Sequence, residues 1–166
     1  MRCARLFEQA ARAAALILVA ASSPAAGQAG PAVGPLPEAR LDLTAGDVTS
    51  VTAGVGLHAR GGTYFRTALL GAMGRAWRGN VSGSAARLEL QGRFHLDPYR
   101  ETRLGLYGLG GIAATYDAIR DWQGRLVLGA GVELPARGRA AIAVEGAFAG
   151  GVRISVLVRR LPEGRR

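Results

Sequence analysis

Apolar and polar side chains alternate with a period of two over most of the chain beyond about residue 38, and no stretch there keeps a helical 3.6-residue period. Arg87, Glu89, Gln91, Arg93 and His95 alternate with Leu88, Leu90, Gly92, Phe94 and Leu96. Arg125, Gly129, Gly131 and Glu133 alternate with Leu126, Leu128, Ala130, Val132 and Leu134, with Val127 the apolar exception on the polar side. Arg153, Ser155 and Arg159 alternate with Val152, Ile154, Val156 and Val158, and Ser50, Thr52, Gly54, Gly56 and His58 with Val51, Ala53, Val55 and Leu57. Turn chemistry at Gly46-Asp47, Arg60-Gly61-Gly62, Gly79-Asn80, Asp97-Pro98, Asp117 to Gly124, Arg137-Gly138 and Gly150-Gly151 divides these runs. The pattern predicts eight strands, at 38–45, 49–60, 63–77, 81–96, 102–116, 123–135, 139–149 and 152–161.

Eight alternating strands can close with the apolar face inward, as in a soluble lipocalin-like barrel, or outward, as in a membrane barrel. Three features favour the second. The polar face is rich in Gly and Arg, with Gly54, Gly56, Gly105, Gly111, Gly129 and Gly131 making room for long charged neighbours in a narrow lumen. Aromatic residues gather at strand ends: Tyr64, Phe65, Phe94 and Tyr99 at one end, and Trp77, Tyr116, Trp122 and Phe148 at the other. Two such girdles suit the headgroup levels of a bilayer, and parity places Tyr107, read as mid-strand, in the lumen.

The third feature is the N-terminus. Arg2, Arg5 and Arg12 precede the apolar run Ala13 to Ala21, and small residues around Ala25-Ala26-Gly27 or Gly27-Gln28-Ala29 offer a cleavage site. Residues 1–27 therefore read as a cleaved signal peptide, and 28–37, with three prolines, as a leader before the fold. The apolar run is too short to span a bilayer as a helix. In lipid a sheet must close on itself to pair every backbone group. The expected fold is thus all-β: a closed antiparallel eight-stranded transmembrane barrel over 38–161 with a side-chain-filled lumen, followed by a polar tail at 162–166. The face of strand 63–77 stays open, because either parity turns Arg66 or Arg75 outward, and the first strand is short.

Taken with Tyr107-Gly108-Leu109-Gly110-Gly111-Ile112 and Leu128-Gly129-Ala130-Gly131-Val132-Glu133-Leu134, this pattern resembles the small outer-membrane β-barrel superfamily, the eight-stranded group of OmpA and OmpW types. The resemblance implies residence in the cell outer membrane of a Gram-negative envelope and insertion by its assembly machinery. Such barrels commonly end on an aromatic residue, whereas here Leu161 is followed by Pro162 to Arg166.

Composition changes this picture little. Among 166 residues, 21 basic side chains oppose 12 acidic ones, for a net charge of +9, and every basic one is Arg. The arginines are spread over strands and turns rather than clustered with stacking aromatics, so no nucleic-acid partner is expected. The single Cys3 falls in the signal segment, which excludes an intrachain disulfide. Gly108-x-Gly110-Gly111-x-Ala113 lacks the following helix of a dinucleotide site. His58 and His95 are too few for a metal proposal, and His95-Leu96-Asp97 lacks the Ser that a His-x-Ser lipid deacylase would carry. No cofactor, metal or catalytic residue is expected.

What remains is a lumen ionic network. Glu89, Glu133 and Glu145 share lumen parity with Arg87, Arg93, Arg125 and Arg153, and buried charges persist only when paired. The expected function is that of a monomeric outer-membrane barrel with a structural or envelope-interaction role, closed to general diffusion. Its partners would be outer-membrane lipid and lipopolysaccharide, whose phosphates Arg78 and Arg120 could meet from the turns. The alternatives are a soluble periplasmic lipocalin-like barrel for a small apolar ligand, and a lipid-modifying outer-membrane enzyme.

Overall fold

A computed structural model of the chain describes residues 34–97, 104–135 and 140–161. The expected signal peptide at 1–27, the leader up to residue 33, Tyr99 and the tail at 162–166 lie outside the described residues. Eight strands follow one another: β1 (Leu36–Ala45), β2 (Thr49–Arg60), β3 (Phe65–Arg78), β4 (Val81–His95), β5 (Gly105–Asp117), β6 (Asp121–Glu133), β7 (Ala140–Phe148) and β8 (Val152–Arg160). Each pairs antiparallel with its neighbours in sequence, and β1 pairs with β8, so the sheet closes into a barrel.

The expected boundaries need two corrections. The first strand begins at Leu36, inside the expected leader, with Pro37 opposite Leu57 of β2. Pro37 fits there because pairing with β8 starts only at Glu38, so its missing N–H leaves no gap in that ladder. The expected loop at 117–122 shrinks to a tight turn at 118–120, with Trp122 already in β6. That turn is tied by Asp117, whose Oδ1 accepts from the backbone N–H groups of Ile119 (3.1 Å) and Arg120 (2.7 Å).

The barrel is inverted relative to a soluble one. Leu41, Val55, Met73, Leu88, Ile112, Leu126, Leu128, Val144 and Val156 face outward, and Met73 and Leu126 are 74% and 73% exposed. Glu89, Arg93, Glu145, Arg153 and Arg159 are buried inside, and Arg153 is 0% exposed. Strand β3 resolves its parity: Arg66, Ala68, Leu70, Ala72 and Ala76 point inward, while Arg75 shares the outer face with Met73 and Trp77. Arg75 lies three residues from the end of β3, where a long stem can carry its charge beyond an apolar belt.

One end of the barrel, here the tip end, carries the four tight turns within the hairpins β1–β2, β3–β4, β5–β6 and β7–β8. The other, the terminal end, carries the start of β1 and the end of β8. The wall is uneven. β5 and β6 pair along their whole length, from Gly105↔Glu133 to Asp117↔Asp121. β6 and β7 pair only from Glu133↔Ala143 to Leu128↔Phe148. The outer part of β6 therefore stands above the short β7–β8 hairpin, and the rim dips there.

Candidate functional site

The lumen is the candidate site, and it divides into two ionic clusters. At the terminal end, Glu38 takes a bidentate pair from Arg93, with Nη1 and Nη2 donating at 2.6 and 2.8 Å. Arg159 Nη1 donates to Glu133 Oε2 at 2.8 Å, and Arg66 Nη1 reaches the same oxygen at 3.3 Å. Glu145 lies 3.0 Å from Arg93 Nε and 3.6 Å from Arg159 Nη2. Planar guanidinium groups can serve two carboxylates at once, which suits a space with little water.

Tyr107 completes this cluster. Its hydroxyl donates to Glu145 Oε1 at 2.9 Å and accepts from Arg159 Nη2 at 2.9 Å, while the Arg159 guanidinium lies 5.2 Å from its ring centroid. The reach follows from a missing side chain. Gly131 sits between Tyr107 of β5 and Glu145 of β7 in the register, and a Cβ on it would lie 2.4 Å from the Tyr107 ring. The sequence placed Tyr107 mid-strand; it is the third residue of β5, near the terminal end.

Nearer the tip end, Asp42 binds Arg40 (Nε to Oδ1, 2.8 Å) and Arg87, and Thr52 Oγ1 donates to it at 3.5 Å. Glu89 takes a bidentate pair from Arg153 at 2.6 and 3.0 Å, lies 3.2 Å from Arg87 Nε, and accepts from the Gln91 amide. Arg40 Nη2 also donates to Ser155 Oγ at 2.8 Å and lies 3.5 Å from Glu145, which links the two clusters.

Of the seven expected network residues, Arg87, Glu89, Arg93, Glu133, Glu145 and Arg153 join these clusters. Arg125 does not. It is half-buried near the tip end and donates to the Gln123 side-chain oxygen, because parity fixes a residue's face and not its height along the axis. Sequence reasoning missed Glu38, Arg40, Asp42, Arg66 and Arg159 as members. The Glu38-Ala39-Arg40-Leu41-Asp42 alternation carried the signal, at the edge of a proline-rich leader.

Apolar side chains fill the rest of the bore. Leu109, Ala113, Val127, Ala143, Ala147 and Leu157 cluster on the inner wall of β5–β8, and Val127 is 0% exposed. Val48, Ala76 and Ala85 form a smaller cluster near the tip end, packed against Ile119. These three also line a cavity of about 60 Å³, together with Thr44, Ser50, Arg87, Thr115, Asp117, Arg120 and Arg125 among others.

The expected girdle residues that are described, all but Tyr99, face outward at the two ends. Tyr64 stacks on Phe94 at 5.8 Å, with Phe65 opposite Phe94 in the register, at the terminal end. Tyr116 meets Trp122 at 5.4 Å at the tip end, where Trp77 and Phe148 also lie. His58 and His95 are buried and separate in role: His58 Nε2 meets the Arg160 carbonyl oxygen at 3.3 Å, and the His95 ring packs 5.1 Å from that of Tyr107. Arg78 is exposed at the end of β3. Arg120 is no free turn charge, since it lies 3.4 Å from Asp117 and 3.8 Å from Asp47 across the mouth.

No protein-family model matches the chain, and no curated protein does. Among solved structures, the de novo designed TMB2.3 is similar at 15% identity over 79% of this chain and 98% of that one, with a TM-score of 0.44. Ail, the attachment invasion locus protein of Yersinia pestis, is similar at 12% identity over 75% of this chain and 93% of that one, with a TM-score of 0.33.

Proposed function

We propose that this chain is an integral outer-membrane β-barrel protein, exported by its N-terminal segment, with a structural or envelope-interaction role. The observation that carries the reading is the inversion: an apolar belt around a closed barrel whose interior is ionic. A soluble monomer rarely exposes an apolar patch beyond a few hundred Å². Here outward side chains of all eight strands contribute, from Leu41 on β1 to Val156 on β8. Nine residues in each of β7 and β8 match the length that a tilted strand needs to cross a bilayer. Kinship with the OmpA and OmpW types belongs to this proposal.

The filled lumen supports a role other than diffusion. A lipocalin-like carrier would need an apolar cavity, and the middle of this bore is occupied by paired Arg and Glu. We propose a monomer whose partners are the assembly machinery, outer-membrane lipid and lipopolysaccharide.

Fractionation tests the reading. The mature chain should require detergent for extraction and migrate faster on gels when left unboiled. Leu128→Arg, on the outer face, should cost about 2–4 kcal/mol of stability in lipid. Recovery as a soluble monomer in plain buffer would overturn the membrane reading and favour the lipocalin-like alternative.

A further inference from the structure

The buried charge inside the barrel does not balance. Among the described residues, Arg40, Arg66, Arg87, Arg93, Arg153 and Arg159 are buried against Glu38, Asp42, Glu89, Glu133 and Glu145. At the terminal end, Arg66, Arg93 and Arg159 face Glu38, Glu133 and Glu145, one for one. Nearer the tip end, Arg40, Arg87 and Arg153 share Asp42 and Glu89, each carboxylate lying between two guanidinium groups. The surplus positive charge thus lies on the side of the cavity, whose floor includes Arg87.

Arg125 adds to it. Its guanidinium bonds the uncharged Gln123 amide and lies against the β7–β8 turn, where a Cβ on Gly150 would lie 2.7 Å from Arg125 Cζ. Gly150 has φ +74, so the turn holds that close approach with a residue free of side chain. Arg120 lines the same cavity from the β5–β6 turn, held by Asp117, whose carboxylate is already spent on two backbone N–H groups and on Arg120 Nε. Thr44 and Ser50 add hydroxyls to the lining, and Thr115, also there, donates its own to the Gln123 carbonyl at 3.2 Å. Three guanidinium groups and the hydroxyls of Thr44 and Ser50 around a space large enough for several waters form a donor set for a tetrahedral oxyanion.

We propose that this vestibule binds a phosphate group, with Arg125 and Arg120 as its principal donors and Arg87 beneath. The anion neutralises the surplus charge that the buried carboxylates leave. The rim is lowest where β6 rises above the β7–β8 hairpin, beside Arg125 and between Trp122 and Phe148. A phosphate can therefore arrive free from solvent or as the headgroup of a phosphorylated lipid at the barrel wall. The proposal stands apart from the membrane reading, because free phosphate needs only the folded barrel.

The test uses the folded mature barrel in a maltoside detergent, which itself carries no phosphate. Inorganic phosphate is titrated and followed by phosphorus NMR, and lipid A in mixed micelles is titrated in parallel. Saturable binding of inorganic phosphate is expected, weakened about tenfold or more by Arg125→Gln, in line with loss of a charge-assisted hydrogen bond. Arg120→Gln should weaken it as well, and Arg160→Gln, at the opposite end, should leave it unchanged. Saturable binding of lipid A alone, lost in Arg125→Gln, supports the same site with a lipid headgroup as the source. Binding of neither probe, or equal binding by wild type, Arg125→Gln and Arg120→Gln, overturns the proposal. Unboiled gel mobility of each variant shows that its barrel has closed.

Discussion

The two halves of the lumen are built from the same two chemistries and end in different states. Among the described residues toward the terminal end, three buried arginines meet three carboxylates, and Tyr107 bridges Arg159 to Glu145. Toward the tip end three arginines share Asp42 and Glu89, and the bore widens into a cavity lined by Arg87, Arg120 and Arg125. Among the described residues the first half is a structural plug, in which each buried Arg has a carboxylate neighbour. The second is cation-rich and ends in a cavity beside the half-buried Arg120 and Arg125. Burial makes the difference matter, since an unpaired ion is costly where water is scarce and tolerable where water can reach it.

Removing a carboxylate from the cation-rich half should have the largest effect. Glu89→Gln leaves Arg153 without its bidentate partner and Arg87 with Asp42 alone. The loss should be about 3–5 kcal/mol, the range for breaking a buried pair. Glu133→Gln in the balanced half should fall at the low end of that range, because Arg159 keeps Tyr107 and Glu145 nearby. Urea midpoints measured in detergent compare the two. Equal midpoints would mean that the halves do not differ in charge balance.

Removing a cation should reverse the order. Arg93→Gln strips Glu38 of both its short contacts and Glu145 of one, with Arg159 3.9 Å from Glu38 as the remaining cation. Arg87→Gln leaves Asp42 with Arg40 and Glu89 with Arg153. Arg93→Gln should therefore cost about 3–5 kcal/mol and Arg87→Gln about 1–3 kcal/mol, since the second leaves no carboxylate unpaired. The same urea series reads both. A larger loss for Arg87→Gln would place the charge surplus in the wrong half.

This division was only partly legible in the sequence. Period-two alternation with Gly- and Asp-rich turns located all eight strands to within a few residues, because an inverted barrel writes its two faces directly into the chain. The inward positions of Arg87, Glu89, Arg93, Glu133, Glu145 and Arg153 followed from parity alone. Parity failed on β3, where Arg66 and Arg75 point to opposite faces and the inner wall is mostly Ala. On the short first strand, the charged residues Glu38, Arg40 and Asp42, beside a proline-rich leader, were not counted into the network. Which Arg meets which Glu depends on the stagger between strands, a property of closure that alternation does not encode. Arg125 shows the consequence: it shares parity with the plug, yet the stagger lifts it to the rim above the β7–β8 turn.

The smallest expected effect belongs to the rim. Arg120 crosses the mouth from the β5–β6 turn to Asp47 of the β1–β2 turn, at 3.8 Å, and Asp47 is largely in solvent. An exposed ion pair of this kind contributes about 0–1 kcal/mol, because both partners stay hydrated when it breaks. Its second contact, with Asp117 at 3.4 Å, lies within one turn that the Asp117 carboxylate already ties through two backbone N–H groups. Arg120→Gln should thus shift the urea midpoint by less than about 1 kcal/mol, well below Glu89→Gln. The turn should keep its fold, and Ile119 its contact with Val48, Ala76 and Ala85. A bridge across the mouth and the plug beneath it also differ in what they gate. If the plug closes the bore, Arg120→Gln should leave the barrel without steady single-channel conductance, since the paired ions below are untouched. A large, steady conductance in Arg120→Gln, absent from the wild type, would mean that the mouth and not the plug holds the barrel shut.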